Sequence, residues 1–477
     1  MATTYSTARA MLADLKANKI SARELLDAHL ARNDRISKTI NAVVDTDVER
    51  ARRDAEAIDA ARRKGEPLGP LAGIPMTIKD GFDVANMPAT AGNPDFKRRD
   101  KGCRDADLVS RLRAAGAVIW GKTNVPFMLS DLQSYNAIYG TTNNPYDVTR
   151  VPGGSSGGAA AALASGVTPL EIGSDIGGSL RHPASFCGVT ALKPTWGVLS
   201  MRGHIPPAPD AYAEMDMAVA GPMARTTDDL KLLWSVLRGT PERPRREVTG
   251  ARVAIWDDEA SWPLGQDVKS AVHRAADALA KAGAHVERAK PAIDGAELMD
   301  FYDTLLWAIL AAGMPEPMLA AFEATHEADR AIVARGDSGA VAARFRLRAT
   351  ASFREIARAW IKRQAHKDRL AEFFMRYDAI VMPIASVTAF PHQQEPTFLE
   401  RVLDVDGAQV PYSGLLNWIS PATVLHAPSL AVQAGHTAHG MPVGVQIVGP
   451  WHGEDRLFDF AAAVEEATGG FRAPPGL

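Results

Sequence analysis

The pattern of apolar and polar positions alternates between helical and strand-like periods along the whole chain. Apolar residues recurring every three or four positions predict helices at about 21–30, 46–63, 108–115, 227–237, 267–281 and from 454 onward. Short apolar runs predict strands at about 74–79, 117–120, 251–256, 285–287, 378–382, 428–433 and 443–448. Two longer helical patterns cover about 296–333 and 340–375. This alternation predicts one α/β unit with helices on both faces of a sheet.

Residues at the ends of several segments support these elements. Ser21 and Glu24 have the spacing of a capping box, which marks the start of a helix. Gly239 follows the helix at 227–237, where a glycine commonly ends a helix. Residues 239–250 contain two prolines and three arginines and predict an exposed connection. No period of about 20 to 50 residues recurs, which argues against a repeat protein.

Composition and charge exclude several classes of protein. A hydrophobic content of 46% with a net charge of −3 is typical of a folded globular protein. The longest apolar run, 305–314, is too short to span a bilayer, and the polar N-terminal residues predict no signal peptide. Only two cysteines occur, Cys103 and Cys187, which fits a reducing compartment. Because 53 Lys and Arg residues nearly balance 56 Asp and Glu residues, no overall field attracts nucleic acid or a membrane. We therefore expect a cytoplasmic protein.

Glycine is concentrated in one part of the chain. Residues 140–200 hold 11 of the 39 glycines, and residues 151–180 hold only two charged residues, Glu171 and Asp175. A segment rich in Gly, Ser and Ala with so few charges predicts buried, closely packed backbone rather than a solvated linker. We expect the chemistry of the protein to lie in this segment.

The first glycine-framed motif, GGSSGG at 153–158, has three interpretations. It matches the nucleophile-elbow pattern with Ser155 as the nucleophile, but the preceding residues are polar and end in Pro152, whereas an elbow needs an apolar strand there. A phosphate loop requires a lysine after its last glycine, which this motif lacks. The third interpretation is that the glycines only allow close helix packing.

The second motif, SDIGGSLRHPA at 174–184, points to an oxyanion site. Ile176, Gly177 and Gly178 supply successive backbone N–H groups beside the hydroxyl of Ser179. A serine nucleophile needs a base, and His182 is the nearest histidine in sequence, although Arg181 beside it favours a structural role. Lys79 ends an apolar strand, where partial loss of water would favour the neutral amine, a competent base.

Six segments in the same order resemble the amidase signature family. They are GIPMTIKDGFDV (73–84), AAGAVIWGKTNVPFM (114–128), GTTNNPYD (140–147), GGSSGGAAAALASG (153–166), IGSDIGGSLRHPASFCGVTALKPTWG (172–197) and GMPVGVQIVG (440–449). The resemblance spans most of the chain and implies a single large α/β domain, 1–477, with a central mixed, many-stranded sheet covered by helices on both faces. We divide it into N-terminal helices (1–65), a catalytic core (66–238), a variable substrate-side helical region (about 290–375) and closing strands and helix (376–470).

The resemblance also implies a role for each motif residue. Ser179 corresponds to the nucleophile, Ser155 to the bridging serine after a cis peptide bond, and Lys79 to the base. The backbone of 176–178 corresponds to the oxyanion hole. Asp175 and Arg181 flank this loop and are expected to support it. The family needs no metal and no cofactor.

The substrate is predicted from the apolar residues near these motifs. Phe127, Met128, Tyr135 and Trp418 are our candidate substrate contacts, and an apolar pocket suits a hydrophobic or aryl acyl-amide cleaved through an acyl-Ser179 intermediate. Met215, Met217 and Met223 are expected to serve packing. The predicted partner is a small-molecule amide, with neither nucleic acid nor membrane, and a homodimer is allowed for.

Two alternatives stay open. The same triad could hydrolyse aryl carbamates, esters or cyclic amides. One branch of the family is the glutaminase subunit of a tRNA-dependent amidotransferase, which works in a complex. The segment 196–209 departs from the Tyr-Gly-containing stretch usual in that branch, so we expect hydrolysis rather than transamidation.

Overall fold

A mixed eight-stranded β-sheet forms the centre of the computed structural model, which describes residues 3–100, 103–209, 214–336 and 340–477. Within the described residues the strands are β1 (Val43–Thr46), β2 (Pro75–Lys79), β3 (Val118–Thr123), β4 (Tyr135–Asn136), β5 (Gly140–Thr141), β6 (Leu170–Asp175), β7 (Thr190–Lys193), β8 (Val219–Ala224), β9 (Arg252–Ile255), β10 (His285–Arg288), β11 (Ala379–Pro383), β12 (Val402–Val405), β13 (Ala408–Pro411), β14 (Ser429–His436) and β15 (Pro442–Val448).

The helices lie between and around these strands. In the same described ranges they are α1 (Ala8–Lys16), α2 (Ala22–Ile40), α3 (Val48–Arg63), α4 (Asp107–Ala114), α5 (Gly157–Ala164), α6 (Arg181–Phe186), α7 (Thr227–Arg238), α8 (Gln266–Lys281), α9 (Gly295–Ala311), α10 (Glu316–Glu323), α11 (His326–Arg335), α12 (Ala340–Ala349), α13 (Phe353–Phe374), α14 (Ser420–Val424) and α15 (Glu454–Thr468).

The large sheet has the strand order β10-β9-β11-β15-β14-β7-β8-β6. Strand β9 pairs in parallel with β10 and β11, whereas the pairs from β11 to β6 are antiparallel. Successive side chains of a strand point to opposite faces, and the two faces belong to different apolar clusters. Val253 and Val381 belong to the cluster that includes residues of α7, α8 and α15, while Ala254 and Ile380 belong to the cluster that includes residues of α9 and α13. The predicted mixed sheet with helices on both faces is confirmed.

A smaller sheet of order β1-β3-β2 carries the strand that ends at Lys79. Strand β2 pairs in parallel with β3, and every residue of β2 is buried. It packs against β6 and α5 of the glycine-rich segment. The topology therefore brings the end of β2 to the two motifs although they begin about 75 and 95 residues further along the chain.

Most predicted elements are present, but the two longest are not single helices. The segment 296–333 is divided into α9, α10 and α11, and 340–375 into α12 and α13. Pro315 precedes α10, and Ser352 and Glu355 form a capping box that begins α13. The predicted box of Ser21 and Glu24 is present at the start of α2, and Gly239 ends α7 with a φ of 72°.

Two further observations concern the predicted organisation. The described part of the chain contains no helix long and apolar enough to cross a membrane. The segment 239–250 has no helix or strand and is largely exposed, as predicted for a connection. The four-part division of the chain stays a prediction.

Candidate active site

The side chain of Lys79 ends in a niche built by three serines. Its Nζ lies 2.7 Å from Ser155 Oγ and 2.8 Å from Ser156 Oγ. It also lies 2.9 Å from Ser174 Oγ and 3.3 Å from the Ser174 carbonyl oxygen. Lys79 has no exposed surface because β2 is buried along its whole length. The structure thus places the predicted base against the predicted bridging serine.

Burial lowers the pKa of the Lys79 ammonium group. Loss of water lowers the pKa of Lys79 to about 7, because a low-dielectric surrounding disfavours the ammonium ion, while the nearby carboxylates of Asp175 and Glu171 oppose this. Burial also raises the pKa of Glu171 to about 7, although hydrogen bonds from Thr123 and the Ile172 N–H favour its charged form. A substantial fraction of Lys79 is therefore neutral near neutral pH.

Ser155 and Ser179 reach one cavity from different loops. Ser155 precedes α5, and its peptide bond with Gly154 is cis, the geometry that the resemblance implies. Ser179 follows β6 and the glycine loop and keeps only 6% of its surface exposed. Both side chains line a narrow cavity of about 30 Å³. The two predicted serines and Lys79 thus converge from three separate segments.

The glycine loop before Ser179 is held by polar contacts at both ends. The Ile176 carbonyl accepts a hydrogen bond of 3.0 Å from the Tyr302 hydroxyl. The Gly178 N–H donates to Asp175 Oδ1 at 2.9 Å. This corrects the prediction for Gly178, because an N–H already bonded to a carboxylate does not point to a reacting oxygen. Ile176 and Gly177 stay candidates for the oxyanion site.

A buried ion pair supports this loop, as predicted. Both carboxylate oxygens of Asp175 face the guanidinium of Arg181 at 2.9 and 3.1 Å, and neither side chain is exposed. Burial by itself would raise the pKa of Asp175, but Arg181 and the Leu180 N–H outweigh it and hold the pKa well below the usual value. Arg181 also donates to Gln446, Thr423 and the Ile419 carbonyl.

His182 takes the structural role that the sequence favours. Its Nε2 lies 3.1 Å from the Leu415 carbonyl oxygen, which can only accept, so Nε2 carries the proton. Burial, reinforced by Arg181, lowers the pKa of His182 to about 4. A Cβ added to Gly178 would lie 2.3 Å from the ring, so the histidine packs directly under the glycine loop.

The cavity wall is mostly apolar, but only one of the four predicted substrate contacts lies in it. Met128 lines the cavity. Phe127 is 52% exposed at the surface. Tyr135 instead bonds to Asp131 and Arg401, and Trp418 is a fully buried core residue whose Nε1 donates to the Pro263 carbonyl. Trp418 is therefore a correction, because a fully buried core side chain cannot contact a substrate. Phe127 and Tyr135 lie outside this cavity wall and stay predictions.

The rest of the wall comes from several separate segments of the chain. Apolar side chains form most of it: Met128, Leu129, Ile176, Met201, Pro206, Met215, Ala218 and Leu310. Met215 therefore lines the cavity rather than serving only packing, whereas Met217 and Met223 are buried in the core as expected. Ser174 and His204 are its unpredicted polar members.

Comparison with protein families and curated relatives places this site in context. The amidase family model matches residues 24–458. A glutamyl-tRNA(Gln) amidotransferase subunit from Salinispora arenicola (strain CNS-205) is 34% identical over 99% of both chains. Further curated relatives carry the same name, which corresponds to the second alternative above rather than to the first expectation. The names of these relatives thus run against the expectation drawn from the segment 196–209.

Solved structures give a complementary comparison. The chain is similar to 6-aminohexanoate cyclic dimer hydrolase, with a TM-score of 0.81 and 27% identity over 100% of this chain and 99% of the other. It is also similar to the corresponding glutamyl-tRNA(Gln) amidotransferase subunit from Thermotoga maritima, with a TM-score of 0.71 and 25% identity over 95% and 94% of the two chains.

Proposed function

Because this chain belongs to the amidase family, whose members hydrolyse C–N bonds, we propose that it is a serine amidohydrolase. Its proposed substrate is a hydrophobic or aryl acyl-amide, which it cleaves through an acyl-Ser179 intermediate. The observation that carries this proposal is the 2.7 Å contact between the buried Lys79 amine and Ser155 Oγ. A neutral amine there can accept a proton from Ser155, and Ser155 can take one from Ser179.

The reaction follows from these contacts in two stages. In the first, Ser179 Oγ attacks the amide carbonyl, its proton passes to Ser155, and the Ser155 proton passes to Lys79. The Ile176 and Gly177 N–H groups stabilise the oxyanion, and loss of one such donor typically costs about 3–4 kcal/mol. The relay then runs in reverse: Lys79 returns its proton through Ser155 to the leaving nitrogen of the substrate, and the C–N bond breaks. In the second stage, water attacks the acyl-Ser179 ester by the same relay and releases the acid.

The cavity wall supports a hydrophobic acyl group. Its side chains are mainly methionine, leucine and other apolar residues, and its carboxylate, Asp175, is already paired with Arg181. An amino-acid amide such as glutamine would bring two further charges into this wall, and unpaired buried charges are costly. The likeness to 6-aminohexanoate cyclic dimer hydrolase supports cyclic amides as substrates within the same proposal. Aryl carbamates and esters are further substrates that the same triad would cleave.

A second candidate is the glutaminase subunit of a tRNA-dependent amidotransferase. The names of the curated relatives favour it, at 34% identity over nearly the full length of both chains. In that role the protein would act in a complex and supply ammonia from glutamine. The relatives favour this candidate, whereas the composition of the cavity wall favours the first.

A substrate panel separates the two candidates. We expect kcat/KM for anilides, aliphatic amides or cyclic amides to exceed that for glutamine by at least about 100-fold, and Ser179→Ala to abolish turnover. A fluorophosphonate probe should label the wild type and the exposed-serine control Ser130→Ala, but not Ser179→Ala. Preference for glutamine would establish the second candidate instead. Absence of both labelling and turnover in the wild type would refute both.

A further inference from the structure

His204 contacts Ser174, one of the three serines that surround the Lys79 amine. Its Nε2 is 2.9 Å from Ser174 Oγ, and its Nδ1 is 2.9 Å from the Pro206 carbonyl oxygen. The ring is 6% exposed and stacks edge-on against Phe82 with centroids 4.8 Å apart. A Cβ added to Gly81 would lie 3.1 Å from Nε2, so the glycine leaves room for the ring to approach.

The contacts of His204 determine where its proton lies. A carbonyl oxygen can only accept, so Nδ1 carries the hydrogen that is donated to Pro206. Burial, with a smaller effect of the Lys79 charge, lowers the pKa of His204 to about 3, so the ring is neutral in the usual assay range. In a neutral ring with Nδ1–H, Nε2 is an acceptor. The Ser174 hydroxyl must therefore donate to His204.

The direction of the hydrogen bond from Ser174 to His204 determines how Ser174 contacts Lys79. Once the Ser174 hydroxyl hydrogen points to His204, Ser174 Oγ can meet the Lys79 amine at 2.9 Å only as an acceptor. Ser156 Oγ donates to the Ser174 carbonyl at 3.3 Å, so it also faces Lys79 as an acceptor. A neutral amine has two N–H bonds and one lone pair. With both N–H bonds directed at Ser156 and Ser174, the lone pair faces Ser155.

We propose that His204 is a positioning residue that orients the Ser174 hydroxyl and thereby directs the lone pair of Lys79 to Ser155. Without an acceptor at position 204, the Ser174 hydroxyl can turn and donate to the lone pair itself. Lys79 then donates an N–H to Ser155 instead of accepting its proton, and the relay cannot start. The inference rests on the proposed function, because it concerns the same proton path.

The test measures the reactivity of Ser179 without a choice of substrate. The readout is the second-order rate of labelling by a fluorophosphonate probe, for the wild type, His204→Gln, His204→Leu, Ser174→Ala and the double variant Ser174→Ala/His204→Leu. Gln can still accept through Oε1, whereas Leu cannot. We expect His204→Leu to slow labelling at least about tenfold, since misdirecting a general base removes part of a contribution of about 10²–10⁴. His204→Gln should recover most of this loss.

The double variant distinguishes orientation from packing. Ser174→Ala removes the hydroxyl that would compete for the lone pair, so adding His204→Leu to it should change the labelling rate less than about twofold. A loss that persists in the Ser174→Ala background, or equal losses for Gln and Leu at position 204, would mean that His204 only fills space and would overturn the proposal.

The pH profile tests a third role for His204. The profile of the labelling rate should keep its midpoint near 7 in His204→Gln, as in the wild type, because Lys79 and not His204 titrates there. Disappearance of this midpoint would make His204 the base itself and would also overturn the proposal.

If the wild type is not labelled, the proposed function fails before His204 is tested. If it is labelled and His204→Leu reacts at the wild-type rate, only this inference fails.

Discussion

At the scale of single residues, the protonation state of Lys79 controls the proposed chemistry. The ammonium ion has no lone pair, so it can donate to Ser155 but cannot accept its proton. Because burial lowers the pKa of Lys79 to about 7, the active fraction grows as the pH rises through that value. A lysine in water would not reach this state until about pH 10. The buried end of β2 thus makes a usable base from an ordinary side chain.

We predict that kcat/KM increases with pH and reaches half of its plateau near pH 7. The measurement is a pH–rate profile between 5.5 and 9 on the best substrate of the panel. Lys79→Ala should lower kcat/KM at least about 100-fold at every pH, because the general base is lost. An active enzyme whose rate is constant across this range, or a Lys79→Ala variant with unchanged kcat, would contradict the assignment of Lys79 as the base.

The sequence predicts the members of the site better than their surroundings. Lys79, Ser155 and Ser179 stand in specific motifs, and the structure brings them to one niche. Ser174 is the first residue of the motif at 174–184. The neighbouring sequence does not indicate its contact with His204, which lies 30 residues further along the chain. The cavity wall likewise comes from scattered segments, and hydrophobicity alone does not distinguish a wall residue such as Met128 from a core residue such as Trp418.

At the scale of elements, the glycines of the first motif serve close packing as well as chemistry. Helix α5 begins where its backbone meets the end of β3, and the Gly158 N–H donates to the Asn124 carbonyl at 3.2 Å. A Cβ at Gly158 would lie 2.4 Å from the Asn124 nitrogen. Packing and catalysis are therefore not alternatives for this motif, because the same close approach positions Ser155 beside β2.

We predict that Gly158→Ala destabilises the protein and lowers its activity. The added methyl group meets backbone that cannot rotate away, and overpacking of this kind typically costs about 1–3 kcal/mol. The melting temperature and kcat/KM should both fall. Gly313→Ala is the matched control, because a Cβ at Gly313 meets nothing within 4 Å and the residue is exposed. Equal melting temperatures for Gly158→Ala and the wild type would contradict the packing role.

The misassigned helices show what periodicity cannot resolve. An apolar stripe can continue through a break when successive helices pack on the same core, so 296–333 and 340–375 have the pattern of long helices. The breaks are marked by local chemistry instead: Pro315 lacks an N–H and precedes α10, and Ser352 with Glu355 caps α13. Capping residues locate a helix start better than apolar periodicity does. At Ser21 and Glu24 the observed start of α2 agrees with the prediction.

At the scale of the whole molecule, the pattern of apolar and polar residues does not predict the order of the strands in the sheet. The rhythm of strands and helices correctly indicates an α/β fold, but β14 lies between β15 and β7 because of pairings that join distant segments. One consequence of this arrangement is that β7, an inner strand of the large sheet, buries a lysine. Lys193 at the end of β7 has no exposed surface, and burial, reinforced by Arg181, lowers its pKa to about 7, as for Lys79.

Two such lysines give the whole protein a pH-dependent stability. In the unfolded chain a lysine binds its proton up to a pKa of about 10.5, whereas in the folded chain both release it above about 7. Between these values the unfolded state binds more protons, so folding becomes more favourable as the pH rises. Each lysine contributes up to about 1.4 kcal/mol per pH unit to the free energy of unfolding in this window.

We predict that the melting temperature rises from pH 7.5 to 9.5 and that Lys193→Met reduces this rise. The variant keeps the length of the apolar stem but has no group to titrate, so it removes the contribution of one lysine to the slope. It should therefore stabilise the protein more at pH 7.5 than at pH 9.5, because removing the lysine proton on folding costs more free energy at the lower pH. Lys281→Met at the exposed C-terminal end of α8 is the control and should leave the slope unchanged. A melting temperature of the wild type that is constant or falls across this window would show that the buried lysines keep their protons in the folded state, and the neutral amine required at Lys79 would lose its physical basis.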